Sequence, residues 1–306
     1  MTGTVSTRKT EPERLWCLSS QMAHRLAIAF WLFSLVLFRQ PLISLASFSV
    51  HEENSSHILL IPPISAGLIF LQRKRIFPAR RYSFVLGISF LAIIALLWWG
   101  LKASRTSSLS STDSLSVIAA LIVLVWIGGF IFFYGLNSFQ AAAFPLAFLL
   151  LTVPMPAVLA EKIMSVLQQG SAETCYILFR SLGVPVIRHG FLFSLPGVDI
   201  EVAQQCSGIH SALSLFITGL LIGHLLLQST WKKVCFILCI LPIAIFKNAI
   251  RIVTIAWLGI HVTPDFFYGA LHRQGGLPFS LLALMLMAAL LWLLHPSSRV
   301  PKAKRL

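Results

Sequence analysis

Residues 234–259 read VCFILCILPIAIFKNAIRIVTIAWLG, an apolar run that contains two charged residues, Lys247 and Arg251. A helix that crosses a membrane needs about 20 apolar residues, so this run is long enough. An arginine inside the bilayer costs at least ~2.5 kcal/mol unless it faces protein or water. Because Lys247 and Asn248 lie four and three residues before Arg251, the three side chains share one helical face. The run therefore predicts a membrane helix whose polar face points inward.

The composition of the whole chain agrees with this interpretation. Of its 306 residues, 57% are hydrophobic and 11% are charged, which excludes a soluble domain and indicates an integral protein of the lipid bilayer. The net charge of +14 is confined to short segments between apolar runs. Such a distribution is typical of cytoplasmic loops, so we expect no nucleic-acid partner.

The fold class we predict is an all-α polytopic membrane protein with about eight transmembrane helices. The second apolar run is short, and we expect it to be tilted or kinked at Pro62 and Pro63. The first run has flanks like those of a signal peptide but no clear cleavage site, so we interpret it as the first membrane helix. The eight runs are residues 25–48, 57–71, 82–101, 115–134, 139–156, 206–227, 234–259 and 277–294.

The basic segments predict the orientation in the membrane. With eight spans, four basic segments fall on the same side, which the positive-inside rule makes cytoplasmic. We therefore expect a cytoplasmic N-terminal tail (1–24), a transmembrane domain (25–295) and a basic cytoplasmic C-terminal tail (296–306) in the cell inner membrane. The four segments are the N-terminal tail, residues 72–81, residues 231–233 and residues 299–305.

One substantial extracytoplasmic insert, about residues 157–205, precedes the run that starts at Cys206. Pro154 and Pro156 end the fifth apolar run, since proline disfavours helix in the residue before it. The insert is predicted to form an amphipathic helix that Gly183 stops, followed by a small hairpin. The predicted helix is Glu161–Leu182, and the predicted strands are Val184–His189 and Val198–Val202.

Cys206 is the candidate nucleophile, at the outer end of its predicted helix. The dipole and the free amides of a helix N-terminus favour the thiolate form. Ser207 and Gly208 leave little bulk beside the sulfur, so a substrate carbonyl has room to approach. The alternative is a small cysteine at the membrane interface without a chemical role. A disulfide with Cys175, on the same predicted side, would block the nucleophile.

Arg251 and His272 are the candidate partners of the thiol. A fixed guanidinium stabilises a thiolate and then the oxyanion of a tetrahedral intermediate, and an imidazole is the usual proton carrier beside a cysteine. His210, one turn after Cys206, is a rival base or a substrate-orienting group. The alternatives are a packing arginine paired with a carboxylate and a merely solvated histidine. The spacing contains no metal-ligand pattern, so we expect no metal and no cofactor.

From Pro154 to Gly276 the chain resembles the exosortase/archaeosortase family of multi-pass membrane cysteine enzymes. The resemblance lies in Pro154-Met155-Pro156, Cys206-Ser207-Gly208 after Glu201-Val202-Ala203, Asn248-x-x-Arg251, and the late His272. It implies that Cys206 is the nucleophile and that Arg251 and His272 complete a triad. We expect Asn248, His210, Ser207 and Gly208 to be supporting residues. Many relatives carry arginine where this chain has His210.

The resemblance also implies a function. Its substrates would be membrane-anchored proteins with a C-terminal sorting signal, cleaved at the outer face and transferred to a surface acceptor. The resemblance does not decide whether the acceptor is an exopolysaccharide or a lipid. Two alternatives come from other classes: a transporter or channel whose anion path is lined by Lys247, Asn248 and Arg251, and a membrane scaffold linked to exopolysaccharide or protein export.

Overall fold

The computed structural model describes residues 20–77, 84–103, 110–203, 208–263 and 276–295. It divides into two compact units, Met1–Met155 and Pro156–Leu306. Three of the candidate site residues, Cys206, Ser207 and His272, lie outside the described residues. Each unit is built almost entirely from apolar helices, as the composition predicts.

In the N-terminal unit, several of the predicted runs are broken. Its α-helices are α1 (Ser20–Leu37), α2 (Arg39–His51), α3 (Ile61–Leu71), α4 (Arg73–Ile76), α5 (Phe84–Ala103), α6 (Ser111–Ala141) and α7 (Ala143–Phe148), with 3-10 helices at Glu53–Leu59 and Leu149–Thr152.

The predicted first span, 25–48, is two helices that meet at an angle of 73°. Pro41 lies in the first turn of α2, where its missing N–H and its ring disfavour a straight continuation from Leu37. The sequence suggested a kink at Pro62 and Pro63. Instead, both prolines occupy the first turn of α3, which is the position that tolerates proline.

α6 extends beyond the predicted fourth span. It runs for 31 residues and is interrupted at Gly135, whose φ of 79° and ψ of 174° are not helical. The predicted fifth span, 139–156, is divided between the end of α6, α7 and the following 3-10 helix.

Two hydrogen bonds fix α1 against α6. His24 Nδ1 lies 2.9 Å from Tyr134 Oη, and Trp126 Nε1 donates to Ser34 Oγ at 2.9 Å. Since the earlier residue of α1 pairs with the later residue of α6, the two helices are antiparallel. A core of buried aliphatic and aromatic side chains around Phe130 fills the space between them.

The described residues of the C-terminal unit form four helices and a small sheet. Its elements are α8 (Ala157–Ser181), β1 (Ile187–His189), β2 (Leu192–Leu195), β3 (Val198–Glu201), α9 (Ile209–Leu226), α10 (Thr230–His261) and α11 (Gly276–Leu294).

α8 begins four residues earlier than predicted and stops where expected. Gly183 has a φ of 73°. The amides of Gly183 and Val184 donate to the carbonyls of Arg180 and Phe179 at 3.1 and 3.0 Å. This pattern is a Schellman cap, which needs a residue that accepts the left-handed conformation.

The predicted hairpin is a three-stranded antiparallel sheet in the order β1-β2-β3. The sequence prediction missed β2, which carries the buried Phe193 and Leu195 against α8 and α10. Arg188 of β1 forms a bidentate ion pair with Glu173 of α8, with both N···O distances at 2.9 Å. The sheet is thereby attached to α8 on the protein surface.

Among the described residues, three helices are long and apolar enough to cross a membrane alone: α6, α9 and α10. The count rises to five if each of two bent pairs forms one span: α1 with α2, and Ala143–Thr152 with Ala157–Ser181. Ser55–Leu71, Val85–Gly100 and Pro278–Leu294 are shorter apolar helices. The chain is therefore a polytopic helical membrane protein, and eight spans remain a prediction.

Candidate functional site

The polar face of α10 points into the protein, as the sequence predicts. Lys247 and Asn248 are 2% and 1% exposed, and Arg251 is half-buried. α10 continues to His261, so Arg251 lies ten residues, or about 15 Å, from its C-terminal end. Two buried polar side chains and a half-buried arginine on one face of a membrane helix mark this face as a functional site candidate.

Lys247 connects α10 to the start of α9. Its ammonium donates a hydrogen bond to Ser211 Oγ. The Ser211 hydroxyl in turn donates to the carbonyl of Gly208 at 2.9 Å. Within the described residues, no carboxylate pairs with Lys247.

Asn248 connects α10 to both α8 and the N-terminus of α9. Its Nδ2 donates to Ser171 Oγ on α8 at 3.0 Å. Gly208, the N-cap of α9, has a φ of 76°, and a Cβ added there would lie 3.0 Å from Asn248 Oδ1. A glycine is therefore needed at 208 for two reasons, the left-handed backbone and the close approach of the Asn248 amide.

The chain is held a few residues before Cys206 as well. Gln168 Nε2 of α8 donates to the carbonyl of Val202 at 2.7 Å. The Val202 amide donates to the carbonyl of Phe191 at 2.9 Å. The short segment from Val202 to Gly208 is thus fixed at both ends, by α8 at the first and by α10 at the second.

We call these five side chains the polar cluster: Gln168, Ser171, Ser211, Lys247 and Asn248. Three of them, Gln168, Ser171 and Ser211, were missed by the sequence reasoning. A signal existed for two, since Gln168 and Ser171 fall on the same face of α8 as the buried Ala172, Cys175 and Phe179. Polar side chains on the buried face of an amphipathic helix indicate a buried partner.

The other candidate residues are distributed as follows. His210 is the second residue of α9, and its side chain is exposed. Cys175 is a free, buried thiol whose Sγ lies 3.7 Å from the carbonyl oxygen of Ala249. Its environment is that of a packed core residue.

Chemically, the site is a cationic one. Lys247 and Arg251 lie one turn apart on α10, and the ammonium of Lys247 donates to the hydroxyl of Ser211. Such a surface favours an anion, for example a thiolate or an oxyanion. In the described part of the chain, no three His, Cys, Asp or Glu side chains are grouped as metal ligands.

Comparison with known proteins agrees with the resemblance read from the motifs. No curated protein and no solved structure matches the chain. The model of one family, described as transmembrane exosortase (Exosortase_EpsH), matches residues 47–289. That range covers most of the chain and includes the polar cluster together with Cys206, Arg251 and His272. The chain therefore belongs to the transmembrane exosortase family.

Proposed function

We propose that the chain is a cysteine protease or transpeptidase that cleaves C-terminal sorting signals of exported proteins at the outer face of the cell inner membrane. Membership of the transmembrane exosortase family supports the class of reaction. The arrangement of the polar cluster supports the roles proposed for the individual residues.

The observation that carries the proposal is the close approach of Asn248 to Gly208, since a Cβ added at Gly208 would lie 3.0 Å from Asn248 Oδ1. Cys206 precedes Gly208 by two residues, and two residues of extended chain span at most about 7 Å. Asn248 precedes Arg251 by one helical turn. This close approach supports a position of the proposed nucleophile near the turn that carries the guanidinium.

In the proposed first half-reaction, the Cys206 thiolate attacks the carbonyl carbon of the scissile peptide bond. The carbonyl oxygen becomes an oxyanion, to which Arg251 donates hydrogen bonds. His272 gives its proton to the leaving amine as the C–N bond breaks. The product is a thioester between Cys206 and the substrate.

In the second half-reaction, an acceptor amine or hydroxyl attacks the thioester carbonyl. His272 takes the proton of the acceptor, and the C–S bond breaks to release the thiolate. An exopolysaccharide or a lipid would be the acceptor in transfer, and water would give hydrolysis.

The remaining residues have positioning roles in this proposal. Ser211 holds the carbonyl of Gly208, Asn248 packs close to Gly208, and Lys247 adds positive charge near the thiolate. Ser207 and Gly208 leave space for the substrate carbonyl. The exposed His210 at the start of α9 would contact the substrate.

A transporter with an anion path along α10 is the alternative from another class. The burial of Lys247 and Asn248 argues against it, because side chains that line an open path are exposed to water.

The test is the processing of a membrane-anchored reporter with a C-terminal sorting signal in cells that express Cys206→Ala or Cys206→Ser. We expect neither variant to process the reporter. Cys235→Ala, in α10, is the control and should retain full activity. Full processing by both Cys206 variants would overturn the proposal.

A further inference from the structure

A cavity of about 710 Å³ lies within the N-terminal unit, between α1, α3 and α6. Its volume falls in the range of ligand sites, roughly 300–1,000 Å³. We call it the N-terminal groove. Most of its wall is apolar, with Trp31, Leu35, Ile69 and Phe130 among the lining residues.

One end of the N-terminal groove is polar. Arg73 follows α3 there, with its guanidinium 4.1 Å from the ring centre of Phe70. Phe77 and Tyr134 both contact His24 at this end, with ring centres 5.4 and 5.3 Å away. The exposed Lys74 and Arg75 follow Arg73 directly but do not line the groove.

The length of the groove matches one leaflet of a bilayer. His24 and Leu35 mark its two ends on α1, eleven residues apart, which corresponds to about 16 Å of helix. Half of a hydrocarbon core of about 30 Å is about 15 Å. An acyl chain of one leaflet thus has the right length for the apolar part.

We propose that the N-terminal groove binds an acyl chain of an anionic phospholipid, with the lipid phosphate at Arg73. The ligand's apolar tail matches the lining, and its charge matches the guanidinium at the end of the groove. The basic segment Arg73-Lys74-Arg75 raises the local concentration of anionic lipid. The bound lipid would come from the leaflet that lies on the same side of the membrane as this basic segment.

A membrane helix of a protein substrate is a poorer occupant. The sorting signals implied by the family resemblance end in a basic tail on the cytoplasmic side, which is the side predicted for Arg73. Like charges would then meet at the polar end of the groove.

The experiment uses the purified full-length chain and measures lipid binding by native mass spectrometry. The probes are phosphatidylglycerol and phosphatidylcholine with the same acyl chains. We expect the unmodified chain to retain phosphatidylglycerol at least about fivefold better than phosphatidylcholine, the preference expected for one nearby cationic side chain.

Two matched pairs of variants locate the site. Arg73→Gln should lose this preference, whereas Arg75→Gln, with the same loss of charge on the same segment, should keep it. Ala66→Trp places a large side chain in the groove and should lower retention of both lipids. Leu71 lies on the exposed side of the same helix and does not line the groove, so Leu71→Trp should leave the retention of both lipids unchanged. Equal retention in Arg73→Gln and Arg75→Gln, or in the two tryptophan variants, would overturn the proposal.

Discussion

The two units of the chain bury different kinds of polar group. In the N-terminal unit, the polar groups of the buried side chains among the described residues are all hydroxyls, those of Ser34, Ser49, Ser65, Ser116, Tyr134, Ser138 and Thr152. In the C-terminal unit they include the ammonium of Lys247 and the amides of Gln168 and Asn248.

The connections of these groups differ as well. Ser34 and Ser116 each donate to a carbonyl of their own helix, and single bonds join Ser65 to the carbonyl of Pro145 and Trp126 to Ser34. The polar cluster instead links three helices and both ends of the segment that contains Cys206. Because a buried charge is far more costly in a membrane than a buried hydroxyl, we infer that the C-terminal unit carries the chemistry.

The largest effect is expected at Arg251. Replacing Arg251 with glutamine removes the proposed donor to the oxyanion and should lower the rate of reporter processing by about 10²–10³-fold. The exposed Arg180→Gln in α8 is the matched control and should change the rate less than twofold. Reporter processing at the normal rate by Arg251→Gln would contradict the assignment of the chemistry to the C-terminal unit.

A smaller effect is expected at Lys247. Lys247→Met removes the charge but keeps the length of the side chain. Alkylation of Cys206 by a thiol reagent at neutral pH should slow by about tenfold, since a nearby cation increases the thiolate fraction. An unchanged alkylation rate would mean that Lys247 has only a packing role.

Sequence alone predicted much of the C-terminal unit. The inward face of α10 followed from the spacing of Lys247, Asn248 and Arg251, and the end of α8 followed from Gly183. These features depend on residues that are close in the chain, so local patterns carry them.

The features that sequence reasoning missed depend on distant residues. Ser171 and Asn248 are 77 positions apart, and their pairing requires the packing of α8 on α10. Strand β2 is stabilised by pairing with β1 and β3 rather than by a strong alternation of its own. The bend between α1 and α2 had a local signal in Pro41, which the continuous apolar run obscured.

The bond between Asn248 and Ser171 should have a modest energetic effect. A double-mutant cycle with Asn248→Ala and Ser171→Ala should give a coupling free energy of about 0.6–1.7 kcal/mol, as for other hydrogen bonds between membrane helices. Reversible unfolding in mixed micelles measures it. Zero coupling would show that the two side chains do not stabilise one another.

The smallest effect is expected at the hydroxyls of the N-terminal unit. Ser116→Ala removes a bond to the carbonyl of Thr112 in the same helix. Because this bond lies within one helix, the free energy of unfolding should change by less than the ~0.6 kcal/mol typical of hydrogen bonds between membrane helices, with normal reporter processing. If Ser116→Ala abolished processing, chemistry could no longer be assigned to the C-terminal unit alone.

The most direct test of the account asks whether the thiol lies beside the polar face of α10. In a chain with Cys17, Cys175, Cys235 and Cys239 replaced by serine, a cysteine is introduced at Arg251 or, as the control, at the exposed Phe246 on α10. A short bifunctional thiol reagent is then added to membranes. We expect rapid crosslinking of Cys206 to the cysteine at 251 and little to the cysteine at 246. Equal crosslinking at the two positions, or none at 251, would contradict it.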